Sequence, residues 1–301
     1  MSDEMPESKK IKMRDFADPN YPEREELTKV ITAFVNENKE AVQAVVNGIG
    51  VLGQIISRVV PGVLQIVSGA VSAIQKAQVY RQKNYPIILN NLDYLANRCW
   101  FLSMEVGIED FEQQALILES IPDDKNRDYI IDASFIKFYE EHFAYLSSSI
   151  IENFPERAFA ISPAIEAHKR GEYALSIPVF FAQADGILLG LTELELFSSR
   201  KHISGLAQEK VSTSMESDNW IWLIDTTAWK PLSDKRPFGW SPNERTKNAY
   251  TGINRNTILH GLDLEYATEV NSFKAFSLLA YIASLRGVLK KIDTFDEPEP
   301  K

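Results

Sequence analysis

The sequence predicts an all-α protein, and two observations carry that expectation. Glycine and proline are sparse, 14 of each in 301 residues, so long stretches run without turn punctuation. The 45% of residues that are apolar fall at helical three- and four-residue spacings within those stretches rather than alternating as in a half-buried strand. The chain is long enough to bury one large core or two small ones.

Taken in order, residues 1–25 are polar, charged and proline-containing, which predicts a disordered N-terminus. With no apolar stretch behind a basic start, they do not form a signal peptide, and a cytoplasmic address follows by default. Residues 26–121 read as an N-terminal helical region of apolar, glycine-spaced helices. One carries the apolar run 41–56, and a second follows Pro61-Gly62 through Val63, Ile66, Val67, Ala70, Val71 and Ile74. Gln43, Asn47, Gln54 and Arg58 interrupt this stretch, and neither half reaches the roughly 18–20 clean apolar residues of a membrane span. Gly48, Gly50, Gly53 and Gly69 favour close helix contact instead. Buried or self-associating helices and membrane contact therefore both stay open. Two more helices centre on 92–101 and 111–118, and Ile121-Pro122-Asp123-Asp124 is a turn.

Residues 122–292 are expected to form a second helical domain. A long helix over 133–153 carries Phe135, Phe138, Tyr139, His142, Phe143, Tyr145 and Leu146 on its apolar side and stops at Phe154-Pro155. His142 reads as a packed core histidine. A short helix after Pro163 leads to Arg170-Gly171, and a very apolar helix covers 173–197, with Gln183 and Asp185 among its few polar positions. Burying an aspartate there requires a partner, so Asp185 is either a paired structural carboxylate or a residue lining a site. Residues 198–248 read as a loop insertion whose tryptophans anchor it to the core. Helices over 251–260, closed by Gly261, and 268–291, opened by Thr268, complete the domain before an acidic tail, 293–301.

The formal charge of −10 argues against a general nucleic-acid coat protein, which usually needs a basic surface. From Arg200 to Arg255, however, nine Lys/Arg stand against six Asp/Glu. The lone cysteine, Cys99, excludes an internal disulfide and a cysteine-rich zinc site, and its apolar helical setting predicts a buried thiol. No metal site and no cofactor are expected.

The chemistry concentrates in Asn254-Arg255-Asn256-Thr257-Ile258-Leu259-His260-Gly261. An arginine can hold a phosphate and a histidine can move a proton near neutral pH. On an ideal helix Arg255 and His260 point about 140° apart, whereas Asn256 and His260 share a face. A compact site therefore needs a distorted first turn, a folded-back arginine, or a second copy of the helix across a two-fold interface. In such a site His260 serves as general base on a ribose 2′-hydroxyl or as general acid on the leaving oxygen. Arg255 holds the scissile phosphate, and Asn256 orients the imidazole or binds the phosphate. Asp185, Gln183 and Asn254 are the supporting candidates. The alternative is structural: Arg255 pairs with Asp185 or Glu265, and His260 caps the helix end.

A wider pattern joins residues 172–187 (EYALSIPVFFAQADGI), residues 254–261, Tyr266-Ala267-Thr268-Glu269 and Asn271-Ser272-Phe273-Lys274-Ala275. Together with Phe154-Pro155-Glu156-Arg157 and Cys99-Trp100-Phe101, it resembles a group of bacterial proteins similar to the HEPN superfamily, over about residues 95–290. The resemblance implies a bundle of four or five helices that dimerises and, in active members, cleaves RNA without metal. The family's Arg–polar–His motif maps onto Arg255, Asn256 and His260, and its additional polar residue onto Gln183 or Asp185. Members similar to this chain read Asn-Arg-His where it has Asn254-Arg255-Asn256, and asparagine still meets the polar requirement. A toxin or phage-defence role is the corresponding family expectation, with RNA as substrate, a homodimer or higher homo-oligomer as the active form, and a regulatory partner or ligand to restrain it. Two other classes compete: a non-catalytic module binding RNA, a nucleotide or a protein, and a membrane-associating or oligomerising effector using the N-terminal apolar helices.

Overall fold

The computed structural model describes residues 84–198, 200–216 and 222–288, and the expectations for residues 1–83 and 289–301 lie outside that range. The described residues are helical: α1 (Tyr85–Ala96), α2 (Ile108–Ala115), α3 (Arg127–Asn153), α4 (Ala158–Lys169), α5 (Tyr173–Thr192), α6 (Ser204–Glu216), α7 (Trp222–Trp229), α8 (Pro242–Lys247), α9 (Arg255–Leu259) and α10 (Glu269–Ser284). Among them the β pairing is limited to an isolated parallel bridge between Glu195 and His202. From Ile88 onward they belong to one compact unit.

Helix α10 is the central element. From Ser272 to Ser284 every residue but Lys274 is buried, the pattern of a helix covered on all sides. Its start is as expected, the Thr268 side chain accepting from the Asn271 N–H. Helix α5 packs on α10 and on α4, and α3 packs on α10 and α4 as well. Helix α5 is the one described helix long and apolar enough to cross a membrane by length and composition; here its Ile177, Phe180, Phe181, Ala184, Ile187 and Leu188 are buried.

Serines on α10 solve a second problem. Residues 100–106 run buried and non-helical beside it, so their backbone needs partners. Ser277 Oγ accepts from the Phe101 N–H (3.3 Å) and Ser284 Oγ from the Met104 N–H (3.0 Å). Ser103 Oγ donates to Ala280 O (3.2 Å), and the Tyr139 hydroxyl donates to Phe101 O.

Several boundaries differ from expectation, each for a local reason. Helix α1 ends at Ala96 rather than 101 because Cys99 adopts a φ of 64°; the thiol is buried as expected, but on a turn. Helix α3 begins at Arg127, a turn and a half before 133. Helix α4 runs straight through Pro163 and ends before Gly171, whose φ of 74° suits glycine. Helix α5 stops at Thr192, where Glu193 turns left-handed with φ 59°. Within α5, Pro178 cannot donate to Ala174 O, and the Tyr266 hydroxyl does so instead (3.0 Å). Residues 198–248 hold helices α6 and α7, packed on each other. Buried Trp229 anchors them, as does the 2%-exposed Arg236. The Arg236 guanidinium donates to Pro231 O, Lys230 O, Asn97 Oδ1 and Asp93 Oδ1.

The core histidine is His168, not His142. His142 is half-buried, with Nδ1 2.8 Å from Phe138 O and Nε2 3.6 Å from Asp110. His168 lies among Phe143, Tyr173, Phe180 and Phe273, with Nδ1 2.7 Å from Ser272 Oγ. Burial pushes its pKa down from 6.5 to about 4. Between those values the unfolded chain takes up a proton that the folded chain refuses. Stability from the neutral ring is thus complete above pH 6.5 and is lost as pH falls through the window, by about 2–3 kcal/mol. Urea titrations at pH 7.5 and 4.5 should show wild type losing more stability on acidification than His168→Phe; equal losses would reject the assignment.

Candidate functional site

The site is built on α9, a five-residue helix held by two asparagines. Asn254 is its N-cap, fully buried, with Oδ1 accepting from the Thr257 N–H at 3.0 Å. Its amide nitrogen donates to Pro237 O (2.8 Å) and Trp240 O (2.9 Å). Asn256 donates to Gly239 O and Trp240 O, both at 3.1 Å. Helix α9 is thereby fastened to the 237–240 turn by side chains rather than by apolar area. Its other end closes in a Schellman arrangement, with Leu262 N donating to Thr257 O, Gly261 N to Ile258 O, and Gly261 at φ 66°.

Arg255 is half-buried between these fastenings. Its Nη1 donates to Asn256 Oδ1 (3.2 Å), and its guanidinium carbon lies 4.8 Å from the centroid of the Phe197 ring. Phe197 meets Phe181 and Phe238 edge to face at 6.1 and 5.5 Å. Gly239 fits here because an added Cβ would come within 3.3 Å of Phe197. Arg255 Nε is buried without a hydrogen-bond partner. A cation fixed on an aromatic face with donors to spare is suited to hold an anion.

Asp185 faces this cation without pairing directly. Its Oδ1 accepts from the Leu196 N–H at 2.8 Å. Loss of hydration lifts its carboxyl above the ordinary range, against the Leu196 N–H and the Arg255 charge, while nearby Glu195 lifts it further. Asp185 thus shapes the 193–197 segment that presents Phe197.

The remaining candidates separate. Gln183 Oε1 accepts from Arg157 Nη1 (3.1 Å), and Arg157 Nη2 donates to Gly186 O (2.7 Å). Two residues apart on a helix, Gln183 and Asp185 point about 160° apart, so Gln183 braces α4 against α5. His260 is the C-cap of α9, with φ −89°, and is exposed. Its imidazole makes no hydrogen bond or ion pair with the described residues, so it neither bonds Asn256 nor caps the helix with its side chain. The shared helical face of Asn256 and His260 is not realised, because Asn256 turns to the 239–240 carbonyls and α9 ends before His260. Arg255 likewise forms no ion pair with Asp185 or Glu265 among the described residues. The Phe197 platform and the Arg157 brace were missed by sequence reasoning, since neither lies near the motif in the chain. Among the described residues no group of three His, Cys, Asp or Glu could hold a metal ion. Comparison with protein-family models, curated proteins and solved structures finds no match to this chain.

Replacing Asn254 by alanine removes a cap and one of the two donors that Pro237 O and Trp240 O each receive, a loss of about 2 kcal/mol. Chemical denaturation should register it, whereas exposed Phe159→Ala should fall within about 0.5 kcal/mol of wild type. Similar small effects for both would show that α9 does not depend on its asparagines.

Proposed function

We propose that this chain is an endoribonuclease resembling the HEPN superfamily, cleaving RNA by attack of a ribose 2′-hydroxyl without metal. The observation that carries the reading is Arg255: a half-buried guanidinium on Phe197, tethered by Asn256, with Nε unpartnered, at the start of the short helix whose C-cap is His260, exposed and unbonded among the described residues.

In this reading Arg255 binds the scissile phosphate and offsets charge on its oxygens in the transition state. His260 takes the 2′-hydroxyl proton as O2′ attacks phosphorus, the bond to the 5′-oxygen breaks, and that oxygen leaves with a proton. The products are a 2′,3′-cyclic phosphate and a 5′-hydroxyl. One imidazole cannot serve both proton transfers at once, so a homodimer supplies the second from another copy of α9. The surface beside His260 supports this. Leu259, Leu262 and Leu264 are 41%, 65% and 88% exposed. Tyr266 ties their loop to the first turn of α5, where Leu175 is 61% exposed. An apolar surface of this kind suits a partner copy. Cytoplasmic residence, a toxin or phage-defence role, and restraint by a partner, a ligand or the assembly state belong to the same reading, because an unrestrained ribonuclease would kill its host.

One observation favours a binding-only module instead: Asn256 is committed to the 239–240 carbonyls and leaves His260 without an orienting group. The two readings part in a cleavage assay on total tRNA and a structured mRNA in EDTA. The expected result is cleavage with 2′,3′-cyclic phosphate ends, reduced at least about 100-fold in Arg255→Ala and in His260→Ala while dimerisation is kept. RNA binding with no cleavage by the wild-type dimer selects the module, and equal cleavage by all three proteins removes the site assignment.

A further inference from the structure

On the other flank of α9 lies a second feature that the Arg255 site does not use. A cavity of about 370 Å³ opens between α8 and the start of α9, lined by Pro242, Arg245, Thr246 and Ala249 with Tyr250, Thr251 and Thr257. That size is within the range of small-molecule clefts. Its walls are built rather than accidental. Ala249 holds a φ of 48°, unusual for a residue with a side chain. An added Cβ at Gly252 would lie 2.5 Å from the Tyr250 hydroxyl, and that hydroxyl is itself fixed by Ile253 O and Cys99 Sγ, both at 3.2 Å.

Arg245 supplies the charge. Its Nε is buried with no hydrogen-bond partner, and its Nη2 reaches only Gly252 O, at 3.5 Å. The neighbouring Glu244 does not neutralise it, because that carboxylate is held by Lys235 Nζ at 2.9 Å and by the Ser241 N–H at 2.7 Å. The hydroxyls define a second preference. Thr246 Oγ1 donates to Pro242 O and Thr257 Oγ1 to Asn254 O, so both oxygens are left as acceptors. A bare inorganic anion has no use for acceptors, whereas a ribose offers hydroxyl donors. The apolar faces of Pro242 and Ala249 leave room for a base or sugar.

We propose that this cavity binds a ribonucleotide through its phosphate. Arg245 takes the anion, and Thr246 and Thr257 accept from ribose hydroxyls. The assignment rests on the ribonuclease reading for its source of ligand: a nucleotide of the same RNA strand that flanks the one held by Arg255, with α9 as the element between the two sites. A free mononucleotide offers the same chemistry.

The test uses the full-length protein, with 5′-AMP followed by calorimetry and a labelled RNA octamer followed by fluorescence anisotropy in a His260→Ala background that prevents cleavage. Arg245→Ala removes the cation, and Thr246→Glu places a negative charge at an exposed cavity position without removing any buried group. Circular dichroism and melting confirm that both variants are folded. Both should weaken ligand binding at least about tenfold, the loss expected for a charge-assisted hydrogen bond. Weakening of the octamer alone identifies the RNA strand as the source, and weakening of 5′-AMP alone identifies a free nucleotide. If folded variants bind both probes as wild type does, or wild type binds neither, the cavity is not a nucleotide site. The ribonuclease reading fails separately, by absence of His260-dependent cleavage.

Discussion

The arrangement around Arg255 depends on hydrogen bonds from two asparagine side chains to three backbone carbonyls. Helix α9 has five residues, far too few for helix propagation to offset nucleation, and only Thr257 and Ile258 of its residues are buried. It persists because Asn254 caps its first turn while bonding Pro237 O and Trp240 O, and Asn256 bonds Gly239 O and Trp240 O. Asn254 is fully buried, and a buried amide is stabilising only when its bonds are made. Here all of them are, so register and orientation of α9 are fixed together.

The turn that receives these bonds is held in its own right. Buried Arg236 ties it to Asp93 and Asn97 near the end of α1. Phe238 packs against Phe101, and Phe101 stacks on Tyr281 of α10. A continuous set of rings therefore runs from the central helix through Phe238 to Phe197, on which the Arg255 guanidinium rests. The cation sits where apolar packing sets its position and a single side-chain acceptor, Asn256, sets its direction. That leaves part of its hydrogen-bonding capacity unused, which is the chemical basis of the anion-holding role proposed for it. The same logic recurs at Arg245, whose neighbouring carboxylate is occupied elsewhere.

Elsewhere in the interior, several polar groups find their partner on a different element. The buried segment 100–106 is satisfied by serines of α10, the carbonyl orphaned by Pro178 is satisfied by Tyr266, and the neutral His168 imidazole is satisfied by Ser272. Buried Ser272, Ser277 and Ser284 are small enough to leave α10 close to its neighbours and polar enough to bond what lies against them.

Periodicity and punctuation determined the helical class, the stop at Phe154-Pro155, the Thr268 cap and the Gly261 ending, because each is a local property of a few adjacent residues. The sequence also drew attention to Arg255, Asn256, His260 and Asp185 by residue type and spacing. What it could not determine was which of these meet. Gln183 and Asp185 are two residues apart yet serve different elements, and Asn256 faces a turn sixteen residues upstream instead of His260. Helix α4 continues through Pro163, packed on α5 and α3, and α5 stops short of 197 at a left-handed Glu193, both against local signals. Only the tertiary structure brought Phe197 under Arg255 and placed His168, rather than His142, in the core. Side-chain partners and burial arise from contacts between segments distant in the chain, and local periodicity carries no record of them.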